Sequence, residues 1–322
     1  MLDKKFWTMT ERQLCDCEMI LDGSFHPLDR FMTKKDYDEV LKTKRLENGE
    51  LFPIPVVLDV NEEFSKTLEL GEQIALRDKE GFVISLITLS SIWKPDVKKE
   101  AELIYGTLDT KHPAVNFLFN SSGRVYLGGK IKKVKMPNHF DYRKYRMGPL
   151  EVKNHFKRNG WEKIIAFQTR NPLHKAHFEL TRKSMSKING NLLLHPVVGF
   201  TKPGDIDHYT RMRCYEHIIK KYPGNSALLA ILPLAMRMGG PKEALLHAII
   251  RKNFGCTHII IGRDHAGPGL NKIGKPFYEA YESQRLVKKF ENEIGIEMIS
   301  FKLMVYVPKI KAYEELESLS PK

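Results

Sequence analysis

The stretch K163-I-I-A-F-Q-T-R-N-P-L-H-K-A-H-F-E-L-T-R-K-S-M185 changes rhythm in mid-course. Its first five residues form a short apolar run of strand character. From Pro172 onward the apolar residues recur at helical spacing, with Leu173, Ala176 and Leu180 forming one stripe. A strand running through a polar turn into a helix is half of a βα unit. The same alternation continues through LLLHPVVG, ALLAILP and THIIIG, separated by HYTRMRCYEHIIKKY, PKEALLHAIIRKNF and FYEAYESQRLVKKFENEI. The pattern predicts a parallel sheet with helices on its faces. EMISFKLMVYVP reads as the closing strand.

Upstream the text is different. EQIALRDKEGFVISLITL shows two extended runs around an Asp78-Lys79-Glu80-Gly81 turn, a hairpin signal. LFPIPVVLDV precedes it as a β-rich run, and RVYLGGKIKKV reads as a Gly-punctuated strand pair. The Pro-, Gly- and Asn-bearing basic stretch near 135–150 marks the boundary. We therefore expect a mostly-β domain over 1–146 and an α/β domain over 147–322, which suits a chain of 322 residues.

Composition narrows the function. The net charge of +13 is unevenly placed, with 24 Lys and Arg against 23 Asp and Glu in 1–146, and 28 against 16 in 147–322. The excess belongs to the α/β half and raises the local concentration of an anionic partner. Apolar runs such as LLAILPLAM are too short to span a bilayer, and MLDKKFWTMTE lacks a signal-peptide h-region, so the expectation is a cytoplasmic protein without membrane association. Four cysteines, Cys15, Cys17, Cys214 and Cys256, form neither a disulfide framework nor a paired zinc motif. They read as reduced structural residues.

The turn QTRNPLHKAH carries the chemistry. In open parallel sheets ligands bind beyond the carboxyl ends of the strands, where this turn falls. Asn171 suits an N-cap and Pro172 the first helical position, so the helix should begin at Leu173 with its free N–H groups facing the strand end. His174 and His177, three apart, project near that end beside Arg170. Two imidazoles, a guanidinium and a helix N-terminus suit a polyphosphate whose charge shifts during phosphoryl or nucleotidyl transfer. A zinc site or two surface histidines would also satisfy His-x-x-His, but no further ligands stand at sensible spacing, and no metal site is expected.

THIIIGRDHAGPG repeats the geometry: a buried strand enters Gly262, Arg263, Asp264, His265, Ala266 and Gly267, where glycines let the backbone approach a ligand and Arg263 and His265 add donors. Arg211, Arg213 and Arg237 are candidates to line the same site. Asp205 and Asp207 read as residues that cap or orient a helix and not as metal ligands. Pro241 suits a helix start, and Gly255 the residue that ends that helix. No Walker A sequence, dinucleotide fingerprint or G-x-S-x-G elbow is present, which disfavours kinase, dinucleotide and hydrolase readings.

These segments in this order, QTRNPLHKAHFEL, VVGFTKPGDIDHYTRMRCYE, LPLAMRMGGPKEALLHAIIRKNFGCTHIIIGRDHAGPG and FYEAYESQ, closely resemble the ATP sulfurylase (sulfate adenylyltransferase) family. GSFHPLDRFM, LFPIPVVLDV, YGTLDTKHPAV and YLGGKI are similar to that family's PUA-like N-terminal domain. The resemblance implies a PUA-like β domain followed by a Rossmann-like nucleotidyltransferase domain. It implies ATP and sulfate giving adenylyl sulfate and pyrophosphate, or the reverse, with Mg²⁺ carried as MgATP. Residue by residue, it implies that Gln168, Arg170 and the Ala266 backbone hold sulfate, and that Thr169, Arg170 and Asn171 form the reacting centre. His174 and His177 would steady the phosphates. Gln168 to Asn171, Gly262 to His265 and Met304 would contact ATP. Members of the family continue through an I-S-G-T-x-x-R segment into a small C-terminal domain, whereas this sequence ends at YVPKIKAYEELESLSPK, so a form without that domain is the expectation and homo-oligomer formation stays open. The residues admit two other readings. One keeps adenylyl transfer with a different oxyanion or phosphorylated acceptor. The other is RNA binding, prompted by the PUA-like half and the basic GKIKKVK and YRKYR, but the first half is nearly neutral and no nucleic-acid partner is expected.

Overall fold

The computed structural model describes residues 4–199, 204–301, 304–310 and 312–316. Six strands of the first half, β1 (Phe6–Thr8), β2 (Arg30–Phe31), β3 (Leu58–Val60), β4 (Gln73–Arg77), β5 (Val83–Trp93) and β6 (Val125–Lys133), make one sheet. Its order is β1-β4-β5-β6-β2, with β3 also on β6; β1 runs parallel to β4 and the other pairs are antiparallel. Helices α1 (Glu11–Leu21), α2 (Lys34–Thr43), α3 (Glu62–Ser65), α4 (Val97–Glu100) and α5 (Pro113–Asn120) fill the connections. Thr10 and Thr33 start α1 and α2 with capping boxes, their hydroxyls taking the N–H of Gln13 and Asp36, which reciprocate.

The hairpin over 78–81 forms, with Gly81 at φ +87° and its N–H on the Asp78 carbonyl. Two expectations do not hold. LFPIPVVLDV yields only the strand Leu58–Val60, because Pro53 and Pro55 cannot donate to a ladder. RVYLGGKIKKV is one continuous strand, not a pair. Gly128 and Gly129 do not turn the chain there; they let β6 pass against neighbouring backbone, since a Cβ would collide with the carbonyls of Met32 and Thr88.

The second half runs α6 (Pro149–Arg158), β7 (Ile164–Thr169), α7 (Lys175–Ile188), β8 (Asn191–Pro196), α8 (His208–Ile218), β9 (Ala227–Leu229), α9 (Gly240–Asn253), β10 (His258–Ile261), α10 (Glu282–Ile294) and β11 (Glu297–Ser300). The five strands form an all-parallel sheet ordered β11-β10-β7-β8-β9. The last predicted strand divides: β11 closes the sheet, then β12 (Met304–Val307) and β13 (Ala312–Glu315) make a separate antiparallel hairpin tied to α7 by Lys183, whose Nζ donates to the Tyr313 carbonyl at 2.6 Å and to Glu314 at 2.8 Å.

Helix α9 is not the amphipathic surface helix that its sequence suggests. Every residue from Glu243 to Arg251 is buried. Leu246 and Ile250 join a core that also contains Met19, Phe52 and Leu127 of the first half, and Leu245 and Ile249 pack with Leu51. Each such aliphatic contributes about 1.5–3 kcal/mol by leaving water, so α9 is fixed from all sides. Gly255, at φ +87°, follows the helix end as expected. No helix among the described residues is long and apolar enough to cross a membrane.

Candidate active site

The strand order places the site. From β7 the chain proceeds through β8 to β9 on one side, then returns across β7 to β10 and β11 on the other. The carboxyl ends of β7 and β10 therefore flank a topological switch point, where loops diverge and leave a crevice. A cavity of about 370 Å³ opens there. Gln168, Thr169, Arg170, Asn171 and His177 line it from the β7 side, Gly262, Arg263, Asp264, His265 and Ala266 from the β10 side, and Met304 from β12. Phe167, Leu180, Ile260 and Phe301 add apolar wall.

The β7 turn is built differently from its sequence reading. Helix α7 starts at Lys175 with His174 as N-cap, not at Leu173 with Asn171. Asn171 is diverted: its N–H donates to Thr169 Oγ1 at 3.1 Å, and its carbonyl accepts from Thr169 Oγ1 at 2.8 Å and from the Tyr215 hydroxyl at 2.7 Å. That carbonyl is consequently committed away from a helical bond. Residues 170–174 become an open loop whose first two residues line the cavity, and His177 moves into the first turn of α7. The His174 and His177 rings lie 5.7 Å apart, but His174 is exposed and outside the cavity lining. His177 is half-buried, with a buried Nδ1 that has no partner among the described residues. Burial, and secondarily the neighbouring His174, lower its pKa below the usual histidine value, so at neutral pH it is an uncharged donor or acceptor. Leu173 and Leu180 pack on the sheet-side core as the stripe predicts, while Ala176 faces the cavity.

Arg170 is paired with Asp205, whose side chain is nearly buried and whose other oxygen has no partner among the described residues. An anion entering the crevice meets a guanidinium already oriented by a carboxylate. Asp207 caps α8 by accepting the Thr210 N–H at 2.9 Å, in line with its sequence reading, whereas Asp205 orients Arg170 and not a helix. The arginines candidate for lining divide otherwise. Arg213 is exposed, and Arg211 is buried, donating to the carbonyls of Val197 at 2.7 Å and Ile206 at 2.9 Å. Arg237, 1% exposed, reaches away from the cavity to Asp16 of α1 at 2.6 Å. None of the three lines the cavity. Their position after strand ends is a fair signal, but nearby carbonyls claim Arg211 and a carboxylate from the other half claims Arg237, while Arg213 faces outward.

The β10 loop is pinned by its neighbours. The Ala266 carbonyl, in a residue at φ +57°, accepts from Gly240 N at 3.1 Å, the Arg263 carbonyl from Tyr281 N at 2.9 Å, and the His265 carbonyl from Ser283 Oγ at 3.2 Å. Beneath it the sequence reading missed a buried polar contact: His247 of α9 stands 2.9 Å from the His265 ring and 3.4 Å from the Gln168 side chain. Nothing local marks His247, which occupies a helical position among apolar residues. Among the described residues no group of three or more His, Cys, Asp or Glu side chains is arranged to hold a metal ion. Cys15, Cys17 and Cys256 are buried thiols, and Cys214 is exposed.

The ATP-sulfurylase family model matches residues 143–321, and the PUA-like domain model matches 3–136. A sulfate adenylyltransferase of Schizosaccharomyces pombe is 50% identical over 315 residues, covering 97% of this chain and 64% of the relative. That of Neurospora crassa is 48% identical over 314 residues, covering 97% and 55%. The chain thus spans less than two thirds of the length of these relatives. A solved structure titled a hexameric APS kinase from Thiobacillus denitrificans superposes with a TM-score of 0.79 at 28% identity, covering all of this chain and 56% of that one. The mixed α/β architecture, with a PUA-like first half and a parallel-sheet second half, is the one that the sequence predicts. With more than half of its residues matched by the family model, the chain belongs to the ATP-sulfurylase family.

Proposed function

We propose that the chain binds MgATP and sulfate across the β7–β10 crevice and transfers the adenylyl group, giving adenylyl sulfate and pyrophosphate, or runs the reverse reaction to make ATP. The observation that carries this reading is the convergence of Gln168, Arg170, His177 and the 262–266 loop on one cavity at the switch point. The division of labour is between residues 147–322, which hold the chemistry, and 1–146, which support it.

Sulfate sits against Gln168, Arg170 and the Ala266 backbone. One of its oxygens attacks the α-phosphorus in line; the bond from that phosphorus to the bridging oxygen breaks, and its electrons leave with pyrophosphate. No proton has to be removed from sulfate, so the chain's task is placement and charge stabilisation. Thr169, Arg170 and Asn171 surround the reacting centre, with Thr169 and Tyr215 holding the turn through the Asn171 carbonyl. His177, with His174 beside it, faces the β- and γ-phosphates as they become the leaving group. Gly262 to His265 and Met304 hold the nucleotide. Mg²⁺ enters with ATP as part of the substrate.

Sulfate-dependent exchange of labelled pyrophosphate into ATP tests this reading. Exchange that requires sulfate is expected; binding of ATP with no exchange at saturating sulfate, or exchange driven by a different oxyanion instead, overturns it.

A further inference from the structure

His247 is fully buried and joins the two loops of the cavity through one ring. Its Nδ1 lies 2.9 Å from His265 Nε2, and its Nε2 faces both the Gln168 amide at 3.4 Å and Glu243 Oε1, one helical turn earlier, at 3.6 Å. Glu243 is also fully buried, and its two oxygens accept the N–H groups of Arg237 and Gly239, each at 2.8 Å. Burial opposes charge on Glu243, but the neighbouring His247 and those two N–H groups prevail and hold its carboxyl below the usual range, so it is ionised.

An ionised carboxylate only accepts hydrogen bonds. At 3.6 Å the contact is longer than a hydrogen bond, but the field of the carboxylate favours the proton on the ring nitrogen that faces it, which makes Nε2–H the form of His247. Burial lowers the pKa of His247 and, with His247 and Arg251 nearby, that of His265 well below the ordinary value, so both rings are neutral. In a neutral ring with Nε2–H, Nδ1 is an acceptor, and the donor across the 2.9 Å contact is His265 Nε2–H. The Gln168 amide then turns its oxygen to His247 Nε2–H. This also satisfies an oxygen that is otherwise buried without a partner among the described residues, and amide orientation is properly assigned from the network around it. The order of donors runs from His265 to His247 and from His247 to Gln168, with the Nε2–H turned toward the Glu243 carboxylate.

We propose that His247 is a positioning residue whose Nε2–H form, imposed by Glu243, sets Gln168 and His265 together and so fixes the spacing between the oxyanion and nucleotide sides of the cavity. Helix α9 suits the role because it is held on every side and cannot yield when either loop is pulled. The naming of the two sides rests on the function proposed above, whereas the hydrogen-bond assignment does not.

The test has two independent parts. Long-range ¹H–¹⁵N imidazole spectra of the ligand-free chain, with His247 assigned through its own side-chain couplings, are expected to show Nε2 protonated and Nδ1 bare; the opposite tautomer or an imidazolium overturns the proposal. Kinetics then separate the two arms. His247→Asn keeps a polar atom near Nδ1 for His265 and loses the reach to Gln168, so KM for sulfate should rise about tenfold with KM for ATP nearly unchanged, the scale of one lost hydrogen bond. His247→Gln reaches toward Nε2 and loses His265, and the pattern should reverse. Equal changes in both constants, or none, overturn the proposal. If the wild-type chain shows no sulfate-dependent turnover, the functional reading fails and the tautomer alone decides the inference.

Discussion

The pair between Asp16 and Arg237 joins α1 of the first half to the segment before α9, 221 residues away. Their side chains are 3% and 1% exposed, with the charged atoms 2.6 Å apart. Asp16→Asn removes the carboxylate and leaves the guanidinium buried, with the Ala235 carbonyl beside it and no carboxylate paired to it among the described residues. Stranding one member of a buried pair costs about 3–5 kcal/mol. The Arg237 Nε and the Asp16 Oδ1 already lack partners among the described residues, so the native pair is not ideally solvated by its surroundings and the lower half of that range is expected. The double variant Asp16→Leu with Arg237→Met removes both charges and fills the space with apolar atoms, and should recover at least half of the loss. Equilibrium urea unfolding followed by tryptophan fluorescence gives both values. Because one core cluster contains residues of both halves, the two should unfold together. A single variant within about 0.5 kcal/mol of wild type, the ordinary range for a surface substitution, would refute the claim that this pair locks the halves. So would a double variant less stable than the single one.

Three further outcomes follow from the same structure. Arg170→Ala should lower turnover by about 10²–10³, the scale of a lost transition-state donor, and, because it strands the nearly buried Asp205, should also lower the unfolding temperature while the chain stays folded at the assay temperature, as read by initial rates and calorimetry on the same preparation. Pyrophosphate should raise the pKa of His177, since an adjacent anion favours imidazolium over the buried neutral form; NMR titration of the ring with and without pyrophosphate checks this, and an unchanged or lowered pKa removes His177 from the phosphate site. Burial lowers the His112 pKa from 6.5 to about 4. The folded chain therefore binds fewer protons than the unfolded one below the unfolded value. The stability this group contributes is present above pH 6.5 and is lost as pH falls toward about 4, at a limiting slope of about 1.4 kcal/mol per pH unit. His112→Asn should flatten that limb in urea titrations at successive pH values, and an unaltered slope would contradict the assignment.

What the sequence made legible was local. The βα rhythm announced the parallel sheet, and the two strand-end loops announced themselves through Arg170, His177, Arg263 and His265, because glycine, proline and charged residues punctuate a strand at short range. What it concealed depended on partners distant in the chain. The Asn171-Pro172 step looks like a helix start until Tyr215, 44 residues on, takes the Asn171 carbonyl. Arg237 looks like a site residue until Asp16 claims it. Gly128 and Gly129 look like a turn because no local signal separates a turn glycine from one pressed against a neighbouring strand. His247 is invisible for a related reason: its apolar neighbours describe a core helix, and only the folded chain brings Gln168 and His265 to its two nitrogens.

The central claim is that this crevice transfers an adenylyl group between pyrophosphate and sulfate. The most direct measurement is ATP formation from adenylyl sulfate and pyrophosphate with Mg²⁺, run on the wild-type chain and Arg170→Ala in parallel. The account predicts robust ATP formation by the former and loss of about two to three orders of magnitude in the latter. Absence of ATP formation by a folded wild-type chain that binds ATP, or equal rates in the two proteins, would contradict it.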